Sequence, residues 1–281
     1  MEFHLTYVLV LLFTGAAVGF ASGLLGVGGG FIMVPIQLWA LTSMGVDPDI
    51  AIRTSFGTSL AVILPTATSG CYGHSCMGTV LWRPGIALGI SGVAGALAGG
   101  FIAAHVPAGP LKVTFGLVVL AGAVRLLLAD RVRSISKGNE SKSKKSDIYY
   151  LLWGFPIGLI SGVSGIGGGV IIIPLMVVVM GFNMYQAVGT SSLAIAFNSI
   201  GGVISYVFNG MGITGLPAYS VGYINLLQLI LLAGTSVPMA QLGVRVCHRV
   251  PGATLRKAFV LLMFYTGLKM IGIFALLGVP V

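Results

Sequence analysis

Charge is scarce in this sequence. Asp, Glu, Lys and Arg together make up 7% of its 281 residues, against about 25% in ordinary soluble domains. A water-facing surface cannot be built from so few charges, so a soluble globular protein is excluded. Acidic residues are rarest of all. The six are Glu2, Asp47, Asp49, Asp130, Glu140 and Asp147, and every one is expected in a terminus or a loop between apolar segments. That absence argues against a carboxylate relay within the membrane and against a cationic cargo. Cysteine is nearly missing too. Cys71, Cys76 and Cys247 form no disulfide framework and lack the close pairing of a zinc or redox motif, so no metal is expected. The glycine-rich GVGGG at Gly26–Gly30 is not followed by Lys-Ser or Lys-Thr, so it is no phosphate-cradling P-loop. The Gly162-Val163-Ser164-Gly165 run has the GxSG form used by intramembrane serine proteases. However, the one histidine that follows it, His248, lies in a basic loop, and the chemistry needs a base on a later helix. No catalytic residue and no cofactor is implied.

What the sequence has in quantity is apolar length. Hydrophobic residues account for 56%, mean hydropathy is +1.02, and there are 43 glycines. A bilayer core takes about 20 apolar residues per helix. On that measure the candidate segments are Leu5–Leu25, Val27–Met44, Ala51–Gly73, Pro84–Ala104 and Leu111–Ala129. A hydrophilic stretch follows, Asp130–Asp147, and then Ile148–Ser164, Ile166–Met180, Ala187–Phe208, Ser220–Val244 and Leu255–Leu277. The chain thus reads as an all-α integral membrane protein with a first transmembrane half at 1–129, a basic linker at 130–147 and a second half at 148–281. The apolar start lacks a basic leader and reads as a first transmembrane segment rather than a cleaved signal. The net charge of +9 does not imply nucleic acid. Seven of the fifteen basic residues lie between Arg125 and Lys145, beside apolar spans, where basic residues set topology.

The two halves repeat each other. Gly19–Ile36 and Gly158–Leu175 share nine of eighteen residues at an offset of 139, including Ser22/Ser161, both glycine triplets and Pro35/Pro174. Gly57–Gly70 matches Gly189–Gly202 at an offset of 132. Gly99, Pro107, Leu111 and Phe115 match Gly243, Pro251, Leu255 and Phe259 at an offset of 144. An odd number of segments per half, about five, predicts two inverted structural repeats. With the N-terminus outside, the linker 130–147 and the basic Arg245–Lys257 loop fall on the cytoplasmic side and the Asp47/Asp49 turn falls outside, as the positive-inside rule asks. That makes a multi-pass protein of the plasma membrane. Inverted repeats are a mark of secondary transporters, whose site lies near the midplane at the repeat interface.

Repetition also points to the candidate site. Gly28, Gly29 and Gly30, and Gly167, Gly168 and Gly169, stand inside apolar runs where glycine costs about 1 kcal/mol each relative to alanine in a helix. Pro35 and Pro174 follow and are expected as structural helix breaks. Glycine-rich broken or re-entrant helices are tolerated at membrane depth only where they are buried in protein or line a cavity. The helix starts they create carry free N–H groups that attract anions. The glycines upstream, Gly15, Gly19 and Gly23 and their counterparts Gly154, Gly158 and Gly162, read instead as close helix packing. The Thr58-Ser59 and Thr190-Ser191 pairs occupy equivalent positions and could donate hydroxyl groups to an anion. Thr66 and Asn198 align one or two turns later, and Asn198 joins the candidates. Lys269, deep in the last segment, is a candidate cation. His74, opposite Tyr206 in the repeat, could carry protons. Arg53 and Arg83 read as interfacial anchors. The substrate-binding candidates are therefore the six glycines, Thr58, Ser59, Thr190, Ser191, Asn198 and Lys269. The partners are a small anion and the lipid bilayer, with a homodimer left open.

The doubled glycine-triplet-and-proline segments, the Gly-Thr-Ser segments after them, and the Gly78-Thr79-Val80-Leu81-Trp82 turn resemble the sulfite exporter TauE/SafE family of membrane transporters, over nearly the whole chain. The resemblance implies a permease for small sulfur-containing anions such as sulfite, thiosulfate or organosulfonates. An anion channel using the same symmetric site is the alternative.

Overall fold

The computed structural model describes residues 5–136, 146–247 and 252–272, and among them ten helices and one small hairpin. In order these are α1 (Leu5–Leu25), α2 (Gly30–Ser43), α3 (Pro48–Cys76), α4 (Trp82–His105), α5 (Ala108–Ser136), α6 (Asp147–Ser164), α7 (Gly169–Val178), α8 (Met184–Gly210), β1 (Ser220–Val221), β2 (Ile224–Asn225), α9 (Leu226–Cys247) and α10 (Gly252–Ile271). Among the described residues, α1, α3, α4, α5 as far as Arg125, α8 and α9 are long and apolar enough to cross a membrane, while α2 is too short.

Local chemistry explains the helix starts. Asp47 caps α3 by accepting from Asp49 N at 2.9 Å and Ile50 N at 3.3 Å, with Pro48 at the first helical position, where its missing N–H costs nothing. Asn183 and Gln186 form a reciprocal capping box at the start of α8, satisfying two otherwise free N–H groups. α2 and α7 have no such device, and each begins after a glycine in the left-handed conformation with no side-chain cap.

α3 and α8 run through the middle and pack on each other, and most of their residues are buried. Around them, α1 lies along α9, α4 along α6, and α5 along α10. The glycine stripes make the first two of these close. A Cβ at Gly19 would fall on the Ser236 backbone of α9, and one at Gly158 on the Gly92 backbone of α4. Without a hydrophobic force between helices in lipid, such backbone approach is what holds them together. One end of the bundle gathers three connections. Asp49 Oδ1 accepts from Ala108 N at 2.5 Å, Arg53 Nη2 donates to Val106 O at 3.1 Å, and Gly215 packs on Ile50. At the opposite end Arg83 makes a two-point pair with Asp147, 2.7 Å and 2.9 Å, tying the start of α4 to the start of α6.

Several expectations are corrected. Pro35 lies inside α2 and Pro174 inside α7; the helix breaks fall earlier, at residues 26–29 and 165–168, where positive-φ glycines end one helix and start the next. α5 continues to Ser136, into the stretch expected as linker, so Asp130 belongs to a helix; residues 137–145 lie outside the described ones. Asp49 and Asp147 sit in first helical turns rather than loops. The segment expected from Ser220 begins with the β1–β2 hairpin, paired Ser220 with Asn225 and Val221 with Ile224, and helix starts only at Leu226. The end of the last expected segment, from residue 273 on, lies outside the described residues.

Candidate functional site

The two breaks meet. The space beside Gly30 is bounded by Ile166 Cα and Gly165 O, 2.7 and 2.8 Å from where a Cβ would stand. The space beside Gly169 is bounded by Val27 O, C and Cα at 2.5–2.6 Å. Val27 and Ile166 are repeat-equivalent, so each break rests on the backbone of the other through the same residues. Gly28 and Gly167 both face Ile63 of α3 and Ile195 of α8, which are themselves equivalent and lie near the middles of those two long helices. The contact is therefore at mid-height of the bundle.

The conformations repeat as well. Gly26, Gly28 and Gly29 have φ of +65°, +82° and +73°, and Gly165, Gly167 and Gly168 have +66°, +86° and +81°. An L-residue there pays roughly 1–2 kcal/mol, which is why three glycines recur in each half. Gly29 O accepts the first helical bonds of α2 from Ile32 N and Met33 N, and Gly168 O those of α7 from Ile171 N and Ile172 N. Two helix starts, both lacking a side-chain cap, thus stand back to back inside the bundle. None of the atoms nearest the break glycines belongs to a lysine or an arginine, and a helix start carries partial positive charge on its own backbone N–H groups.

The candidate side chains divide into two kinds. Thr58 and Thr190 are fully buried and serve as acceptors: Thr58 Oγ1 takes Asn225 N at 2.9 Å, and Thr190 Oγ1 takes Leu81 N at 3.0 Å. These contacts are equivalent, since Leu81 and Asn225 differ by the same 144 residues as Gly99 and Gly243. They dock the start of α4 on α8 and the start of α9 on α3. Ser191 donates toward Gly26 O at 3.0 Å and Val188 O at 2.9 Å, bracing the first break. Its counterpart Ser59 is fully buried, and its hydroxyl has no partner. Asn198 is 1% exposed, and neither its Nδ2 nor its Oδ1 has a partner. Lys269 stands on α10 with its Nζ 5.9 Å from the Tyr265 ring centroid and supplies none of the atoms nearest the break glycines. His74 Nε2 is 3.0 Å from Gly23 O, and Tyr206 OH donates to Gly162 O at 2.9 Å, again an equivalent pair, which gives His74 a bracing contact on the end of α1.

Removing the threonine acceptors should cost stability. Thr58→Val leaves the buried Asn225 N–H without a partner, a loss of about 1–3 kcal/mol, and Thr190→Val does the same to the half-buried Leu81 N–H, at the lower end of that range. Thermal melts in detergent should show a lower midpoint for either valine variant and recovery with serine. Unchanged melts would remove the docking role.

Ser161 escaped the sequence reading as a site residue. Its hydroxyl is fully buried and unpartnered, and the signal that could have found it was present, since Ser22 and Ser161 are identical across the repeat. Gln37 of α2, also fully buried with both amide atoms unpartnered, was missed too; a glutamine inside an apolar run was its only mark.

The sequence profile of the sulfite exporter TauE/SafE family matches residues 11–270. A probable membrane transporter protein of Haemophilus influenzae is 30% identical over 271 residues, covering 94% of this chain and 98% of its own length. One from Methanocaldococcus jannaschii is 29% identical, covering 99% and 98%, and one from Bacillus subtilis is 27% identical, covering 94% and 98%. No solved structure matches the chain. With a match that takes in both breaks, most of α1 and the other five long apolar helices, the chain belongs to the sulfite exporter TauE/SafE family and is a membrane transporter.

Proposed function

We propose that the protein is a secondary transporter of small sulfur-containing anions, such as sulfite, thiosulfate or organosulfonates, and that it works by alternating access between two inverted repeats in the plasma membrane. The observation that carries this reading is the pair of uncapped helix starts meeting at mid-height. Irregular backbone at membrane depth is otherwise a cost without return, and paired half-helix N-termini present partial positive charge to an anion without a competing cation. The equivalent contacts support the inverted arrangement: Thr58–Asn225 with Thr190–Leu81, and His74–Gly23 with Tyr206–Gly162. In this reading α1–α2 and α6–α7 are re-entrant pairs, and the division into halves at 1–129 and 148–281 is the division into moving bodies. The bundle end with Asp47 and Asp49 faces outward with the N-terminus. The end with Arg83 and the 130–147 stretch faces the cytoplasm.

Proteoliposomes test it. Uptake of radiolabelled sulfite, thiosulfate or a C2 sulfonate should saturate, and preloading with unlabelled anion should accelerate it by counterflow. Unsaturable, voltage-driven conductance would replace the transporter with a channel. Absence of flux for the whole panel would refute the cargo class.

A further inference from the structure

We propose that the two breaks are unequal, and that the protein holds one oxyanion-bearing ligand per chain, in a cradle formed by Ser161, Asn198 and the uncapped start of α7. This rests on reading the breaks as the transport site and adds which of the two receives the ligand and through which side chains.

The backbone is alike in the two halves, but the side chains beside it are not. Around the point where a Cβ on Gly168 would stand are Ile157 Cγ2 at 3.2 Å, Ser161 Cβ at 3.3 Å and Asn198 Nδ2 at 3.4 Å. Around the matching point on Gly29 are Val18 Cγ1 at 2.5 Å, Val18 O at 3.2 Å and Val18 Cβ at 3.3 Å. Val18 and Ile157 are repeat-equivalent, so a β-branched side chain borders both points, and at the first Val18 supplies all three nearest atoms. The second is bordered by two polar groups that are buried and unpartnered.

A paired exchange between the halves accounts for the difference. In the first half Thr66 donates to Val62 O at 2.8 Å and lies 2.6 Å from Ser236 Oγ, so its polarity is spent. The repeat-equivalent residues are Asn198 and Gly92. The side chain missing at Gly92 leaves the room into which Asn198 projects its Oδ1 and Cγ, the latter 3.0 Å from a Cβ built on Gly92. A small hydrogen-bonded pair, Thr and Ser, becomes a larger polar residue against a glycine, with no bond between them. An orphaned buried amide is a cost to the fold, and such groups inside membranes point to substrate paths. Three kinds of donor stand together at the second break: the Asn198 amide N–H, the Ser161 hydroxyl and the first N–H groups of α7. All are neutral, and all call for acceptor oxygens. An oxyanion head group supplies them.

Binding measured by calorimetry on the purified protein, with sulfite, thiosulfate and methanesulfonate as probes, tests this. One ligand per chain is expected. Asn198→Leu, near-isosteric and apolar, and Ser161→Ala should each weaken binding by about tenfold or more, the effect of losing a hydrogen bond to a charged group. Their first-half counterparts Thr66→Val and Ser22→Ala should change it by less than about threefold, a difference below one hydrogen bond. Ligand-free melting separates a binding role from a structural one. Asn198→Leu removes an orphan and should melt at or above the wild type, whereas Thr66→Val breaks a made bond and should melt lower. Two ligands per chain, equal losses in both halves, or wild-type affinity in both Asn198→Leu and Ser161→Ala would overturn the proposal while leaving the anion transporter standing. No binding of any probe by the wild type would overturn both.

Discussion

Gly169→Ala is expected to reduce anion flux by about 5- to 150-fold, although the protein still reaches the membrane, and Gly30→Ala is expected to do the same. Neither glycine has a positive φ, so backbone strain is not the reason. The reason is room. The added methyl of Gly169→Ala would lie 2.5–2.6 Å from three backbone atoms of Val27, and that of Gly30→Ala 2.7 Å from Ile166 Cα and 2.8 Å from Gly165 O. Backbone cannot rotate away as a side-chain end can, so one break must move off the other. Overpacking of this kind costs about 1–3 kcal/mol, which is about a 5- to 150-fold change in any equilibrium that depends on the contact. A proteoliposome flux assay with a thermal melt on the same preparations measures both consequences. Gly234→Ala is the control. Gly234 is exposed on α9 with nothing within 4 Å of a Cβ, so alanine should keep full flux and stabilise by up to about 1 kcal/mol. Full flux and an unshifted melt in Gly169→Ala would mean that the contact between the breaks is not part of transport.

The expectation for Gly169 comes largely from the sequence, because the glycine triplets recur at a fixed offset and their cost inside an apolar run needs a reason. The helix pattern was legible for the same cause: α1 ends at the expected Leu25, since its long apolar run meets a glycine-rich stretch there. What was not legible depended on contacts between distant residues. Proline propensity suggested that Pro35 would break its helix, yet the helix passes through it, because a packed bundle can absorb the lost bond while left-handed glycines cannot continue a helix. The Thr58 and Thr190 hydroxyls were visible as a symmetric pair. Their acceptance of N–H groups from Asn225 and Leu81, 167 and 109 residues away in the chain, was not. Ser220–Asn225 reads as the start of a span but forms a hairpin around Gly222 and Tyr223, where Gly222 takes a positive φ. The inequality of the breaks lay furthest from the sequence reading. Asn198 and Thr66 were aligned there, but nothing in the string says that Gly92 and Ser236 stand opposite them.

Leucine at Gly158 or at Gly19 is expected to yield little or no folded protein, with equal severity in the two halves. Built Cβ atoms at these positions lie 2.7 Å from the Gly92 Cα and 2.5 Å from the Ser236 Cα, with the facing carbonyl oxygens closer still. Four added carbons cannot be placed without separating α6 from α4, or α1 from α9. The neighbours Gly154 and Gly162, and Gly15 and Gly23, make the same approach to the same helices, so the helix cannot pivot about the substituted point to relieve it. A single extra methylene in a packed interior costs about 1–3 kcal/mol, and domain stabilities are only about 5–15 kcal/mol, so alanine should lower the melting temperature while leucine should exceed what the fold can bear. Size-exclusion profiles of detergent extracts, read beside total membrane expression, distinguish failure to fold from failure to insert; a monodisperse leucine variant melting like wild type would refute the packing role. Equality between Gly19 and Gly158 is the point of making both changes. The glycine stripes serve architecture, which both repeats need alike, whereas Asn198 and Thr66 should part company in the binding assay. A duplicated chain can keep its packing symmetric while its polar groups diverge, because backbone contact constrains both copies and a single ligand constrains only the copy that holds it.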